Sequence, residues 1–582
     1  MNDYDDDDII DYENDTQAGE QFNEDNLNDE DYNLLYDLLP ELKEKTKLYQ
    51  IPDDKLKELL WLNYFELDDT LEEIKRDFKP KKTTSNFQKP SPDEQKKELH
   101  KITQIISGVN LEESSKPAPK KKLTTTKPKT KINVDKELQT KNQKPNLSFV
   151  VIGHVDSGKS TMIGRLLYDL KIVDSKTLHK LTKESENIGK ASFSLAWIMD
   201  QTSEERSRGV TVDICQTQFE TETSSFTIID SPGHKDYVPQ MINGVTQADI
   251  AIVIIDANSF ESGFDTQGQT REHLTIAKNL GMEKCIIAIN KMDTNSWSEH
   301  RFEQIRDTLA EFLLDDLQYE KRNIIYIPVS GYLGDNVVNK VKKTECPWYS
   351  GKTLIEILEQ ENQLVNHAID KESPFIMTIN DIQELSRNDE LLISGRINSG
   401  LIQPGESIII SPSQETGVVD SISITMSNVG SSSVKNDLQK LAIKGEFVEL
   451  KLKKLDVLDN IKVGDLVTLI NNKITPVKNF QCELNLFNLE RPLLIGTPFI
   501  LFRSNISIPA RLSTIHSIEN TKSGKVSKKR KHLSSNNRAI VDIEILDRDI
   551  PLVTFDDDMK LGRLVIRKDG MTIGAGKVTK LL

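Results

Sequence analysis

Apolar residues recur along the chain with two different periods, which divide it into segments. Between about residues 147 and 364, short apolar runs alternate with segments whose apolar residues recur at helical spacing. The runs predict buried parallel strands, and their alternation with helices predicts a doubly wound α/β domain. The predicted strands are residues 147–152, 226–229, 248–255, 285–289 and 324–329, and one of the helical patterns between them covers residues 270–280.

Beyond residue 374 the apolar runs become shorter and are separated by turns. Gly400, Pro404-Gly405 and Val463-Gly464-Asp465 interrupt them, and runs bounded by such residues are typical of β-strands. This spacing predicts a small β-barrel, and a second set of strands follows from about residue 480 to the end. The predicted strands are 393–397, 408–410, 418–424, 446–452 and 466–470 in the first set, and 499–502, 540–545 and 564–566 in the second.

The first 145 residues lack this regularity. Residues 1–40 contain fifteen Asp or Glu and no Lys or Arg, which predicts a disordered acidic arm. Leu56, Leu59 and Leu60 recur at helical spacing and predict a small helical module. Residues 79–144 contain seventeen Lys against seven Asp or Glu, with several prolines, which predicts a disordered linker. This linker is either a solvated spacer or a segment attracted to phosphate backbones.

Composition excludes several classes of protein. The chain has no apolar run of about 18 residues, so no membrane span is expected. Its acidic N-terminus lacks the apolar core of a secretory signal. The four cysteines are scattered and none forms C-x-x-C, so neither a zinc site nor a disulfide framework is expected. A reducing, cytoplasmic location fits this composition.

Residues 153–160, with the sequence GHVDSGKS, fit the phosphate-loop pattern G-x-x-x-x-G-K-[ST]. They lie between a predicted strand and a predicted helix, as the motif requires. Gly153 and Gly158 allow backbone N–H groups to face phosphate oxygens. Lys159 can reach the β- and γ-phosphates, and Ser160 can offer its hydroxyl to Mg²⁺. The predicted phosphate-binding residues are Gly153, His154, Val155, Asp156, Ser157, Gly158, Lys159, Ser160 and Thr161.

Further polar residues suited to phosphate chemistry follow this loop. Asp230 can hold the metal through water, and the N–H of Gly233 can meet a γ-phosphate. His234 comes next and is placed to orient an attacking water. Thr211 can close over the γ-phosphate and bind Mg²⁺ when a nucleoside triphosphate is present. The predicted metal-binding residues are therefore Ser160, Thr211 and Asp230, and His234 is the predicted catalytic residue.

Two later stretches predict that the base is guanine. Asp293 can accept from the N1–H and the exocyclic amine of guanine together, whereas adenine leaves the carboxylate unpaired. The backbone at Ser330-Gly331 can approach the guanine O6. The predicted base-binding residues are Asn290, Lys291, Asp293, Ser330, Gly331 and Tyr332. Because all these motifs occur in GTPase order, the sequence predicts GTP or GDP with Mg²⁺ as ligands, and hydrolysis of GTP as the reaction.

With these residues, the chain resembles translational GTPases of the elongation factor 1-alpha type. The combination of G-H-V-D-x-G-K-S, D-x-P-G-H and N-K-M-D is specific to that superfamily, and the resemblance runs from about residue 147 to residue 582. It implies a P-loop GTPase domain followed by two β-barrels. The expected organisation is an acidic arm at 1–30, a helical module at 31–79, a basic linker at 80–145, the GTPase domain at 146–368, and β-barrels at 369–475 and 476–582.

Within this family the chain most resembles the ribosome-rescue (HBS) branch, the GTPase partner of Pelota. Residues 192–197, 200–206, 268–273 and 296–299 resemble that branch. The resemblance implies a Pelota-type, tRNA-mimicking partner and a ribosome contacted through small-subunit proteins and rRNA. It implies rescue of stalled ribosomes and no-go decay, with no DNA partner and a monomer outside the complex. It also implies that Val155 and Val210 form an apolar gate around His234, although the family usually has Ile at the second position.

Four other functions remain open for this sequence. An elongation factor would carry aminoacyl-tRNA but generally lacks a long acidic and basic extension. A release-factor GTPase has an extension of another composition, and the GTPase subunit of a sulfate-activating enzyme would not respond to ribosomes. A non-catalytic scaffold is the fourth, and His234 argues against it. A basic cluster at residues 522–531 is either a solvated loop or a contact for ribosomal RNA.

Overall fold

The computed structural model describes residues 38–39, 42–43, 56–57, 59–60, 70–71, 74, 133–141, 144–187, 189–190, 193–200, 202–265, 268–364, 372–385, 390–424, 437–455, 460–520, 526–527 and 531–582. The predictions for residues 1–30, for most of 31–132 and for most of the basic cluster lie outside these residues. The chain forms two compact units, one at residues 1–120 and the other at 121–582. The described residues of the predicted helical module are helical, and they bury Leu39, Leu42, Leu56, Leu59, Leu60 and Ile74 in one cluster.

A short helix, α1 (Val134–Lys141), precedes the nucleotide domain. Its Leu138 packs against Leu441 and Ile443 of the first barrel. The sequence predicted disordered linker through residue 145, and the structure differs at residues 134–141. An isolated helix of this length is marginal in water, so burial of Leu138 against the barrel is what stabilises it.

The GTPase-like domain is built on one sheet with the strand order β2-β3-β1-β4-β5-β6. Neighbouring strands are parallel, except that β2 and β3 are antiparallel. The five strands that the apolar runs predicted are all present. The six strands are β1 (Asn146–Gly153), β2 (Cys215–Glu220), β3 (Ser225–Asp230), β4 (Ile250–Asp256), β5 (Cys285–Asn290) and β6 (Ile324–Pro328).

Helices cover both faces of this sheet. Val150 and Ile152 of β1 belong to one apolar cluster, while Phe149 and Val151 belong to another, because successive strand residues point to opposite faces. The doubly wound arrangement that the sequence predicted is therefore confirmed. The helices are α2 (Lys159–Asp169), α3 (Ser175–Asn187), α4 (Ser203–Arg208), α5 (Val238–Thr246), α6 (Phe260–Phe264), α7 (Gln269–Asn279), α8 (Glu299–Glu311) and α9 (Leu354–Leu364).

The second domain is a closed β-barrel. Its main sheet has the order β10-β15-β7-β8-β14-β11-β12, and it closes because β10 also pairs with β11. Closure leaves few free strand edges. The strands are β7 (Ile376–Glu384), β8 (Glu390–Ser399), β9 (Leu401–Ile402), β10 (Ser407–Ser411), β11 (Glu415–Ile424), β12 (Asp437–Gln439), β13 (Ala442–Ile443), β14 (Phe447–Lys453) and β15 (Leu466–Leu469).

The third domain is a second barrel, closed by pairing of β19 with β20 in the order β19-β25-β26-β17-β23-β20-β21. Burial alternates along its strands, as in β17, which places one face in the core. The two barrels confirm the predicted architecture. The strands are β16 (Pro476–Val477), β17 (Asn479–Leu486), β18 (Leu493–Leu494), β19 (Pro498–Arg503), β20 (Ile506–Asn520), β21 (Val526–Ser527), β22 (His532–Leu533), β23 (Asn537–Ile545), β24 (Ile550–Pro551), β25 (Arg563–Lys568) and β26 (Met571–Leu581).

Among the helices of the described residues, none is long and apolar enough to cross a membrane. The polar motifs found in the sequence follow β1, β3, β5 and β6. Because these strands are parallel, their carboxyl ends share one edge of the sheet, where ligands of such folds bind.

Candidate nucleotide site

The phosphate loop connects β1 to α2. Gly153 and Gly158 have φ values of 152° and 90°, and Asp156 has φ of 59°. A Cβ on Gly153 would lie 2.4 Å from the carbonyl oxygen of Ile254, so this position requires glycine. Helix α2 begins at Lys159 directly after Gly158. Its first backbone N–H groups have no intrahelical partner and form an anion-binding end.

The ammonium group of Lys159 lies inside this loop. It donates to the carbonyl oxygen of His154 at 2.9 Å and to that of Gly153 at 3.3 Å. Burial lowers the pKa of Lys159 to about 8. An anion beside this partly desolvated ammonium would restore its pKa, because opposite charges stabilise each other at low dielectric.

Asn290 at the end of β5 and Lys291 directly after it hold the other side of the loop. Asn290 donates through Nδ2 to the carbonyl oxygen of Ser157 at 2.9 Å, and Lys291 donates through Nζ to that of Asp156 at 2.8 Å. The Oδ1 atom of Asn290 accepts from the N–H of Gly331 at 2.8 Å. These hydrogen bonds connect the carbonyl oxygens of the phosphate loop to the base-binding segment at Asn290 and Lys291, and Asn290 connects that segment to the one at Gly331.

The remaining predicted base-binding residues surround this connection. Asp293 is half-buried at the start of a 3-10 turn, Met292–Asn295. Ser330 is fully buried and its hydroxyl accepts from the N–H of Leu333 at 3.2 Å. A Cβ on Gly331 would lie 2.9 Å from Met162, so glycine is needed there too. Tyr332 is 56% exposed, and a side chain this open shields little of a bound base.

Hydroxyl and carboxylate groups converge beside the phosphate loop. The hydroxyl oxygens of Ser160 and Thr211 are 3.0 Å apart, and Thr211 donates to Oδ1 of Asp200 at 3.3 Å. Asp230, at the end of β3, is fully buried, and neither of its carboxylate oxygens has a hydrogen-bond partner among the described residues. Burial raises the pKa of Asp230 to about 6, and burial and the charge of Asp230 raise that of Asp200 to about 7.

The segment that carries Thr211 is fixed by Glu205, which is 5% exposed. Oε1 of Glu205 accepts from the backbone N–H groups of Val212 at 3.1 Å and Asp213 at 3.3 Å. Its other carboxylate oxygen accepts from the N–H and the hydroxyl of Thr202 in a capping box that starts α4. One buried carboxylate therefore connects the start of α4 to the two residues after Thr211.

Gly233 and His234 lie directly over the phosphate loop. A Cβ on Gly233 would be 2.3 Å from Nζ of Lys159 and 2.9 Å from the backbone carbonyl oxygen of Gly153, and the second contact requires glycine at this close approach. His234 precedes a 3-10 turn, Lys235–Tyr237, and its Nδ1 accepts from the N–H of Asp236 at 3.3 Å. Its side chain is 37% exposed. The imidazole therefore lies at the surface of the site, next to solvent.

The structure thus brings together the predicted phosphate, metal and base residues at one sheet edge. Val155, Val210 and Thr161 are half-buried, and the gate that the two valines were expected to form stays a prediction. The sequence analysis assigned no role to Asp200, Glu205 or Gln269. Their only signal was that they fall in stretches that resemble the rescue branch.

Comparisons with known proteins identify the family. The family described as Elongation factor Tu GTP binding domain matches residues 144–389, and GTP-eEF1A C-terminal domain-like matches residues 479–579. HBS1 N-terminus matches residues 2–84. A Schizosaccharomyces pombe relative, Elongation factor 1 alpha-like protein, is 30% identical over 610 residues, 99% of this chain and 98% of the relative. The chain belongs to the translational GTPases of the elongation factor 1-alpha type.

Other relatives of this translational GTPase support the same family assignment. Protein HBS1 of Drosophila melanogaster is 36% identical over 76% of the chain, which spans 64% of that relative. Elongation factor 1-alpha of Ignicoccus hospitalis is 34% identical over 76% of the chain and 97% of its own length. The solved Ski7 GTPase-like domain of S. cerevisiae, bound to GTP, is 25% identical with a TM-score of 0.67, covering 77% of this chain and all of that one.

These findings confirm the predicted family and the predicted enzyme class. The protein carries an HBS1 N-terminal domain joined to a GTP-binding translational GTPase, and enzymes of this type hydrolyse GTP. The exact domain boundaries and the roles of individual site residues stay predictions.

Proposed function

We propose that this GTPase acts with a Pelota-type, tRNA-mimicking partner to recognise stalled ribosomes and promote their rescue and no-go decay. The observation that carries the proposal is the match of residues 2–84 to the HBS1 N-terminus. The elongation factor 1-alpha of Ignicoccus hospitalis aligns over almost its whole length yet leaves about a quarter of this chain without a counterpart. That difference favours rescue over the elongation alternative. Cytoplasmic ribosomes, contacted through small-subunit proteins and rRNA, are the proposed site of action.

The cluster beside the phosphate loop suits Mg²⁺. Ser160 and Thr211 offer hydroxyl oxygens 3.0 Å apart, and the buried carboxylate of Asp230 has no hydrogen-bond partner among the described residues. Oxygen donors of this kind are the ligands that Mg²⁺ prefers. Bound with GTP, the ion would neutralise charge on the β- and γ-phosphates. Asp200, 3.3 Å from Thr211, would orient that hydroxyl.

His234 is the proposed catalytic residue. Lys159 and the start of α2 stabilise phosphate charge but do not align a water with the γ-phosphate. His234 follows Gly233, whose backbone lies against Lys159, so its imidazole can reach the attacking side. The exposed imidazole described above is near solvent, and the ribosome with its partner would turn it toward the phosphate. Val155 and Val210 are proposed to limit that movement at rest.

Single-turnover GTP hydrolysis with saturating ribosomes and Pelota-type partner tests this function. His234→Ala should leave GTP affinity nearly unchanged. It should lower the ribosome-stimulated rate on the order of hundreds-fold, as when a positioning group is removed. His179→Ala, at a histidine of α3 outside the site, is the matched control and should behave as wild type. A His234→Ala rate within a few-fold of wild type would favour a GTP-dependent scaffold instead. Affinity capture of the GTP form, with partners identified, separates rescue from the release-factor and sulfate-activation alternatives.

A further inference from the structure

One side chain lies between the phosphate loop and the segment that carries His234. Gln269 is the first residue of α7 and is half-buried. With its amide oriented by its neighbours, the nitrogen donates to the carbonyl oxygen of Gly233 at 3.0 Å and to Nδ1 of His154 at 2.7 Å. The amide oxygen accepts from the N–H of Lys235 at 3.3 Å. One amide therefore binds the peptide groups on both sides of His234.

The three polar groups around Gln269 determine which way its amide points. Burial and the nearby Lys159 ammonium lower the pKa of His154, so its imidazole is neutral at physiological pH and Nδ1 can accept a hydrogen bond. The carbonyl oxygen of Gly233 is also an acceptor. Two acceptors on one side and an N–H donor on the other leave a single orientation in which Gln269 satisfies all three groups.

The backbone next to Gln269 is closely packed. A Cβ on Gly268 would lie 2.3 Å from the carbonyl oxygen of Gly263, and a Cβ on Gly263 would lie 3.3 Å from the Cβ and Cγ atoms of His154. The start of α7 thus packs on the backbone of α6, and α6 packs against the phosphate-loop histidine. One turn later on α7, His273 is fully buried, and burial lowers its pKa to about 3. The amide is therefore held by a packed frame, as a group that must position another requires.

We propose that Gln269 is a positioning residue for GTP hydrolysis, whose amide clamps the backbone on both sides of His234 against the phosphate loop. The inference rests on the catalytic role proposed for His234. Gln269 acts through the backbone that carries His234, and its three hydrogen bonds go to Gly233, His154 and Lys235. Loss of the clamp leaves the imidazole in the chain but releases its backbone, and a shift of about 1 Å in a reacting group costs about 10²-fold in rate.

Kinetics of the full-length protein test this role. Gln269→Ala and Gln269→Met should lower the ribosome-stimulated single-turnover rate by about 10- to 100-fold, with GTP affinity and thermal midpoint close to wild type. Gln269→Met keeps the length of the side chain but cannot donate or accept these bonds. Thr275→Ala is the matched control and should match wild type, because among the described residues its hydroxyl bonds only to the carbonyl oxygen of Arg271 within α7.

Non-additivity shows whether Gln269 acts through His234. Because the clamp has value only when the imidazole is present, the double variant Gln269→Ala with His234→Ala should be no slower than His234→Ala alone. Amide hydrogen exchange of the nucleotide-free protein gives a readout independent of activity. The N–H of Lys235 loses its acceptor in both Gln269 variants, so its exchange should become faster than in wild type or Thr275→Ala.

The outcomes separate this inference from the function on which it rests. If His234→Ala keeps the wild-type rate, the catalytic role of His234 is wrong and the positioning role falls with it. If His234→Ala is slow while Gln269→Met stays within about twofold of wild type, the function stands and the clamp is refuted. Parallel losses of rate, GTP affinity and thermal midpoint in the Gln269 variants would show a merely structural residue and would also refute it.

Discussion

Replacement of Asp249 by Asn should destabilise the arrangement of the three large domains. Asp249 precedes β4 of the GTPase domain, and its Oδ1 accepts from Nη2 of Arg396 at 2.7 Å and from Nζ of Lys560 at 2.8 Å. These partners belong to the first and second barrel. Oδ2 accepts from the N–H and the hydroxyl of Ser148, at 3.1 Å and 2.6 Å. Although burial opposes ionisation, the two cations hold the pKa of Asp249 well below its usual value.

The magnitude depends on how far each partner is buried. The side chain of Arg396 is 6% exposed, so a lost carboxylate leaves a buried guanidinium without its counter-charge, which costs about 3 kcal/mol or more. Lys560 is 39% exposed, so water replaces its partner and its loss adds less than about 1 kcal/mol. A total of about 3 kcal/mol corresponds to a fall of roughly 6–12 °C in the midpoint of a cooperative unit of 150–250 residues.

Thermal unfolding followed by fluorescence measures this effect. The matched control is Asp569→Asn, which removes an 82% exposed carboxylate paired with Lys568 and should change the midpoint by less than about 1 °C. Because a depressed carboxyl pKa stabilises the fold above the unfolded value of about 4, the effect of Asp249→Asn should be constant from pH 6 to 8 and shrink only below about pH 4. Equal midpoints for Asp249→Asn and wild type at pH 7 would refute the reasoning.

Two further predictions concern the base and the domain boundary. Asp293→Asn should reverse the hydrogen-bond polarity at the base and move preference from GTP toward xanthosine triphosphate, measured by competition binding; unchanged GTP affinity contradicts the base-reading role. A chain that begins near residue 140 should bind GTP like the full protein, and lost binding in a folded truncation would place part of the site upstream. The truncation should melt a few degrees below a chain that begins at residue 130, because it lacks the contact of Leu138 with the first barrel, and Leu138→Ala in the longer chain should reproduce the decrease.

Strands buried on both faces could be predicted because they leave continuous apolar runs. The run at residues 248–255 predicted β4 within two residues at its start and one at its end. The sequence did not predict strand β2, because only Thr217 and Phe219 of its six residues are buried and they leave no apolar run. The composition of this edge strand is typical of a polar loop. Its hydrogen-bonded pairing with β3 is what holds it as a strand.

The candidate site could be predicted only where its chemistry is local. The phosphate loop is contiguous, so spacing alone identifies it. Asp200 and Glu205 act on Thr211 and the residues after it through contacts that the fold creates. The chain contains 91 Asp and Glu, so no single carboxylate stands out. What distinguishes these two carboxylates is that they are buried away from solvent, and only the three-dimensional structure shows this burial.

Helix α7 shows most clearly why the remainder of the site was hidden. Its first five residues, QTREH, are polar and would ordinarily predict a solvent-exposed turn of helix. Gln269 and His273, four residues apart, share the face that meets the phosphate loop. Glu272 instead accepts from Thr572 of the second barrel at 2.6 Å, and the guanidinium of Arg271 packs on the rings of both Phe264 and Phe312. Three-residue and four-residue spacing predicted that a helix exists here, but only the surrounding domains decide that its polar residues point inward. Specific partners therefore bury α7 on three sides. These partners include Gly233 and Lys235, the two residues that flank His234.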